Sequence, residues 1–320
     1  MIATPPARVL TLGEAMVLLD PAEEGEIKPG MQFSLRVAGA EANFAIALTR
    51  LGIRSTWVSR LGSDPLGDVV FETLAEQGVD LSLVRREKSP TGLFFKWRWA
   101  GKSNLIYYRR DSAASHLEPS DVGDADIDGA THVHVTGITM ALSRSARETV
   151  IDVTQRAHKR GIPITFDPNY RPVLWSGPDE AARTYRAVLG MAGWYLCGLD
   201  EGCALWDATD EDSLFAAMEA AGVSRSVVRI GPRGALVNDS GSITHVAPER
   251  LEEVLDEVGA GDAFAAGFVY GLINGWAPID CARAGNVIAA HALLGTGDWE
   301  TLPFLADVEA SLQPQERKGT

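Results

Sequence analysis

The chain has 320 residues, 46% hydrophobic and 22% charged, which gives ample material for a core and fits an ordinary globular enzyme of one large or two small α/β domains. No apolar run approaches the ~20 residues of a membrane span, and Met1-Ile-Ala-Thr-Pro-Pro lacks the basic and apolar regions of a signal peptide. A net charge of −14 disfavours nucleic acid and anionic membrane as partners, and three cysteines (Cys197, Cys203, Cys281) without a CxxC pair point to a reducing, cytoplasmic setting.

In chain order, residues 8–13 read as a first strand, 14–21 continue extended, 23–30 form a polar loop and 33–37 a short strand. Residues 38–52 read as a glycine-led turn into a helix, with Ala42, Ala45, Ile46 and Thr49 at helical spacing and Gly52 just past its end. A strand over 55–60 and a loop at 62–67 lead into a helix reaching about Gln77. Strand alternating with helix is the signature of a mostly parallel sheet covered on both faces.

Residues 91–99 and 104–110 break that rhythm. They are aromatic and alternating, so they read as a hairpin with one covered and one wet face. With residues 14–37 they are expected to form a small antiparallel sheet beside the main body, as a lid. Trp97 and Trp99 share a face and either stack on a sugar or cover this sheet. Phe94, Trp97 and Trp99 would leave an apolar face on a monomer, so a homodimer through the lid is expected.

The α/β rhythm resumes after Ser120, with strands at 132–136, 163–167, 194–197 and 226–230 and helices at 143–160 and 183–189. His132 and His134 share a strand face and would suit a metal, but no third ligand is in view. A hairpin closes near Val246, and helices follow Asp262, run from Pro278 to about Leu294, and lie near 304–312.

The chemistry concentrates at Gly259-Ala260-Gly261-Asp262, where a polar run meets an almost wholly apolar helix. Glycines before a helix leave N–H groups free at its positive end, which makes an anion site. Asp262 there is either a helix cap or a base that takes the proton of a hydroxyl receiving phosphate. Phe264 stands where a dinucleotide fingerprint needs Gly or Ala, and GxxxxGK[ST] is absent, so an NAD site and a P-loop are both disfavoured. Glycine-bearing turns recur at 38–40, 62–67 and 231–234, and loops of an open α/β sheet gather at one edge. Arg109 shares a strand face with Tyr107, and Arg171 follows Asp167-Pro-Asn169; each is either a surface arginine or a grip for carboxylate or phosphate. Asp298 is a turn residue or a grip for hydroxyls, and Glu201 a helix-start acid or a neighbour of phosphate and magnesium.

Two segments in order, Gly39-Ala-Glu-Ala-Asn43 through Gly52 with Leu61-Gly62-Ser-Asp64-Pro-Leu-Gly67, and Asp256-Glu-Val-Gly259-Ala-Gly261-Asp262-Ala-Phe264, resemble the signatures of the ribokinase-like (PfkB) carbohydrate kinases over essentially the whole chain. Tyr107-Tyr-Arg109-Arg-Asp-Ser112, Asp167-Pro-Asn169-Tyr-Arg171 and Gly297-Asp298-Trp-Glu-Thr-Leu-Pro303 are most similar to the 2-keto-3-deoxygluconate kinases of that family. The resemblance implies a three-layer αβα sandwich with a mostly parallel central sheet, residues 1–320 forming one catalytic domain, and a small β-sheet lid at about 14–37 and 91–111. It further implies ATP with Mg2+ and phosphorylation of a primary hydroxyl on a small acid sugar. Gly39, Asn43, Tyr107, Arg109, Arg171 and Asp298 would touch the sugar. Asn169, Arg171, Gly231, Gly234, Gly259, Gly261 and Asn286 would lie by the nucleotide, with Glu201 on the metal side. Asp262 would be the base, and Gly259, Ala260 and Gly261 the anion hole. The chain departs from the family pattern at Ala40, Phe94, Gly198 and Glu257-Val258. Fructokinase, ribokinase, 5-keto-2-deoxygluconate kinase and a sugar-binding sensor without catalysis are the competing readings.

Overall fold

The computed structural model describes residues 7–23, 25–99 and 102–312, and the side chain of Trp99, with its considered stacking role, lies outside what is described. The chain opens with β1 (Arg8–Leu12), β2 (Met16–Pro21), β3 (Phe33–Ala38), α1 (Ala40–Arg50), β4 (Arg54–Gly62), α2 (Pro65–Glu76) and β5 (Val84–Glu87). The hairpin β6 (Leu93–Trp99) and β7 (Lys102–Tyr108) follows, then α3 (Asp124–Asp128), β8 (His132–Thr136), α4 (Gly137–Leu142), α5 (Arg144–Lys159) and β9 (Ile164–Asp167). Next come α6 (Pro178–Leu189), β10 (Trp194–Gly198), α7 (Leu199–Trp206), α8 (Glu211–Ala220) and β11 (Arg225–Arg229). The hairpin β12 (Ala235–Asp239) and β13 (Ser242–Val246) precedes the closing helices α9 (Ala260–Ile273), α10 (Pro278–Ala292) and α11 (Leu305–Leu312).

Nine strands form one sheet in the order β13-β12-β11-β10-β9-β8-β1-β4-β5. It is parallel from β11 to β5; β12 pairs antiparallel with β11, and β13 antiparallel with β12. Alternation splits its side chains between two cores. Leu10, Leu12, Val133 and Val135 pack with Val150 and Val153 of α5, whereas Val9, Leu196 and Val227 pack with Phe44 of α1 and Phe268 of α9. Burial on both faces is why these strands read as continuous apolar runs, and it produces the three αβα layers.

His132 and His134 belong to that interior. Their ring nitrogens meet the Thr165 hydroxyl at 3.1 and 2.8 Å, and His134 stacks on Phe44 with centroids 4.0 Å apart. Burial pushes both imidazoles down to about 3; each spends a ring nitrogen on Thr165, and among the described residues no third ligand joins them.

The small sheet has the order β3-β2-β6-β7. It is mixed rather than antiparallel, because β2 and β6 are parallel. A long excursion through β4 and β5 separates those two strands, and a crossover of that length is what parallel pairing requires. Phe94 is also placed differently from expectation. It is 6% exposed, stacks on Tyr107 at 5.3 Å, and faces inward with Met16 and Leu18. Strand alternation therefore puts it on the opposite face from Trp97. The exposed apolar residues of the outer face are Leu35, Ile106 and Tyr108, while Val17 and Val37 anchor the sheet on Ile46 of α1 and Val70 of α2.

α9 and α10 approach at glycine. A Cβ on Gly267 would lie 2.6 Å from the Ala284 carbonyl oxygen, and one on Gly271 2.8 Å from the Cys281 Cα. α9 is apolar all round because it is buried all round. No helix of the described residues is long and apolar enough to cross a membrane.

Candidate active site

α1 and α9 both begin at a glycine, and their first turns meet. Gly39 has no room for a side chain, since a Cβ there would sit 2.3 Å from the Glu14 carbonyl oxygen. Gly259 adopts a left-handed φ of 81°, and its Cβ would lie 2.2 Å from the Asp298 carbonyl oxygen. Glycine is needed there on both counts. The contact joins the start of α9 to the 295–298 turn.

Asp262 lies in the first turn of α9 but does not cap it; the cap position is Gly259. Its carboxylate is instead held by two amides. Asn43 Nδ2 donates to Asp262 Oδ2 at 2.9 Å and to Asp298 Oδ2 at 3.2 Å, and Asn169 Nδ2 donates to Asp262 Oδ1 at 3.2 Å. An asparagine at 43 serves because one NH2 group carries two donors, one for each acid. Burial raises the Asp262 carboxyl to about 8; Asp167 and Asp298 add to this, while Asn43 and Arg171 oppose it. Asp298 is raised to about 6, again chiefly by burial.

Gly39, Asn43, Tyr107, Arg109, Asn169, Arg171, Gly259, Asp262 and Asp298 line one cleft between the small sheet and the starts of α1 and α9. The remaining expected residues lie elsewhere. Gly231 and Gly234 form the turn before β12 with φ of 59° and 93°. A Cβ on Gly234 would meet the Val246 carbonyl oxygen at 2.2 Å, and Asn286 donates to the Ala247 carbonyl at 2.8 Å, so both touch the segment leaving β13. Ala260 and Gly261 place their N–H groups at the free end of α9.

Arg109 is not a free cation here. Its Nη2 lies 2.6 Å from Glu14 Oε2, with both side chains buried. The same Glu14 accepts from Ser112, and a second buried acid, Glu41, accepts from Thr136 and Thr139. Burial raises the Glu41 carboxyl. Arg171 contrasts with Arg109. It is exposed, its Nη1 donates only to the Tyr170 carbonyl at 3.3 Å, and among the described residues no carboxylate pairs with it.

Behind the cleft lies an ion cluster whose arginine no motif marks. Arg229, at the end of β11, places Nη1 2.7 Å from Asp167 Oδ2 and Nη2 3.8 Å from Glu201 Oε2. The same Nη1 reaches the Gly261 carbonyl at 3.5 Å. Glu201 accepts from the Gly198 N–H at 3.0 Å and from the Tyr170 N–H, and burial followed by Asp167 raises it to about 7. The one available signal is position: a charged residue closing a buried strand just before Gly231-Pro-Arg-Gly.

For a divalent ion the donor set is thin. Among the described residues no three His, Cys, Asp or Glu side chains converge as a metal site. Glu201 has both oxygens engaged by backbone N–H groups. A magnesium ion here would have to keep most of its waters, with the phosphates of a nucleotide as its main other ligands.

Similarity to known proteins identifies the family. A model described as "pfkB family carbohydrate kinase" matches residues 6–304. The 2-dehydro-3-deoxygluconokinase of Bacillus subtilis is 35% identical over 97% of this chain and 98% of its own, and that of Thermoproteus tenax 36% identical over 95% and 94%. A ribokinase II-type protein from E. coli, solved in complex with ATP and Mg2+, superposes with a TM-score of 0.87 at 25% identity over 96% of this chain and 99% of that one.

Proposed function

Because the chain belongs to the pfkB family of carbohydrate kinases and is thus a phosphotransferase, we propose that it moves phosphate from ATP to the 6-hydroxyl of 2-keto-3-deoxygluconate. The observation that carries this reading is a half-buried carboxylate, Asp262, held by two asparagine amides beside a helix start, in a cleft that Arg171 also lines. The names of the two bacterial and archaeal relatives supply the sugar.

In this mechanism the 6-hydroxyl donates its proton to Asp262 as its oxygen attacks the γ-phosphorus. The bond to the bridging oxygen breaks, and ADP leaves with that electron pair. The N–H groups of Ala260 and Gly261 and the dipole of α9 face the charge spreading over the transferred phosphate. Asn43 orients Asp262 and Asp298 together, so the base and a hydroxyl acceptor move as one unit. Magnesium bound with the nucleotide supplies charge neutralisation on the phosphates.

A base must be unprotonated to act. With Asp262 raised to about 8, kcat/KM should climb roughly tenfold per pH unit below that value and level off above it. An acid limb lying below pH 5 would show that Asp262 is not the titrating base. Arg171 gives a second check. Loss of a charged hydrogen-bond donor is worth roughly tenfold or more, so Arg171→Leu should raise KM for the acid sugar by that factor and KM for ATP by less than about threefold. Equal effects on both would remove its assignment. The substrate itself is tested by kcat/KM over 2-keto-3-deoxygluconate, 5-keto-2-deoxygluconate, fructose and ribose. The first should lead, and a faster neutral sugar would displace the proposal.

A further inference from the structure

The segment that leads into α9 is poorly anchored by packing. Between β13 and α9 the chain has no regular structure, and Val254, Leu255 and Val258 remain 50%, 44% and 37% exposed. Yet Gly259, which ends this segment, must hold a left-handed φ in tight contact with Asp298. Something other than hydrophobic burial has to fix the approach.

The Leu255 N–H, which donates to the Leu293 carbonyl at 2.9 Å, ties one point of it to the end of α10, and one side chain from the small sheet ties another. Lys96 on β6 points to the cleft face, two residues from Phe94, and its ammonium sits on Asp256 Oδ2. The two side chains are 10% and 9% exposed. The other oxygen, Oδ1, accepts from the Val258 N–H at 3.3 Å, so Asp256 shapes the turn immediately before Gly259. We propose that Lys96 is a positioning residue, latching the small sheet to the 254–259 segment so that the anion hole is set only when that sheet is docked over the cleft.

The physical case rests on what this pair costs and what it links. A buried ion pair is a weak source of stability, because desolvation offsets its attraction, and its best-attested use is to fix register. Here the partners lie 160 positions apart in sequence, one on the element that covers the sugar cleft and the other before the phosphate-facing helix. A hydrophobic pair would hold the two elements in many relative positions, whereas one ammonium on one carboxylate, itself bonded to a backbone N–H, admits few. Lys96 also lines the cleft, but its ammonium is engaged by Asp256. It acts through Asp256, and the role depends on the reading that the start of α9 faces the transferred phosphate.

The test uses the full chain and four variants: Lys96→Met, Asp256→Asn, the double variant Lys96→Met/Asp256→Asn, and Lys96→Arg. Turnover is measured on 2-keto-3-deoxygluconate, or on whichever sugar of the panel above is phosphorylated, so failure of the substrate proposal does not obscure the result. Each of the first two variants should lower kcat about tenfold with KM for ATP within about twofold, and the double variant should be no worse than either, as for two residues acting through one link. Lys96→Arg, which keeps the charge, should retain at least a third of kcat. Hydrogen exchange of residues 93–108 with saturating sugar gives a readout independent of turnover: the wild type should be protected, and Lys96→Met should exchange at least fivefold faster. Should a single variant fail to fold, the double variant leaves no buried charge unpaired and decides the question. Wild-type kcat in the double variant, multiplicative losses, or unchanged exchange would each overturn the proposal.

Discussion

Asp262→Ala should lower kcat by about 10²–10⁴, the usual worth of a general base, while nucleotide binding and the fold should persist. The loss falls on kcat because the proton leaves the sugar hydroxyl only as the new P–O bond forms. The fold persists because Asp262 contributes no cap to α9 and no ion pair, only hydrogen bonds from Asn43 and Asn169. Asp262→Asn separates chemistry from stability more sharply. The carboxyl has a folded value of about 8 against 3.8 for an exposed group, so the native state holds its proton more tightly than the unfolded chain does. Stability from this group is therefore fully present below about pH 4, declines as pH rises through the interval, and is lowest above 8. The asparagine variant lacks that decline. It should be inactive yet gain stability over the wild type at pH 8–9, with the gain vanishing near pH 4, as read by denaturant unfolding at each pH. A variant that turns over within tenfold of the wild type would refute the base assignment.

The second large effect is structural. Arg229→Met removes the cation that faces Asp167 and Glu201. Breaking a buried ion pair from one side costs about 3–5 kcal/mol, since the abandoned charge stays buried. Arg229 retains 18% side-chain exposure, so the lower end, ~3 kcal/mol, is expected in urea unfolding at pH 7. The loss should shrink toward pH 5, where Glu201, already raised to about 7, carries a proton and no longer needs the arginine. Activity should fall too, because Asp167 fixes the Asn169 N–H at 2.9 Å, and Asn169 in turn holds Asp262. A variant as stable as the wild type at pH 7 would mean that the cluster carries little of the fold.

Much of this was legible in the sequence. Glycine punctuation and alternating apolar runs are local signals, and they gave the α/β order and the two glycine-started helices. The cleft residues 39, 43, 107, 109, 171, 259, 262 and 298 were found because each sits in a short pattern. Glu14, Glu41, Lys96 and Arg229 were not, because the charge of a strand or helix residue says nothing about its partner. Arg229 meets Asp167 across 62 positions and Lys96 meets Asp256 across 160. Phe94 shows a different limit: alternation separates it from Trp97, but the aromatic run does not announce which of the two faces is covered. Arg109 illustrates a third, since the motif identifies the residue but not the Glu14 that neutralises it.

The glycine contact between α9 and α10 bears on how such an enzyme can change its sugar. At positions 267 and 271 even a methyl group would collide with backbone atoms of the neighbouring helix, so Asp262 and the start of α9 rest on a fixed anvil that mutation cannot shift without unseating the helix pair. Innovation has to enter from the other wall of the cleft, where Leu105 is 46% exposed and its strand borders solvent. A library aimed at new sugars belongs on β6 and β7.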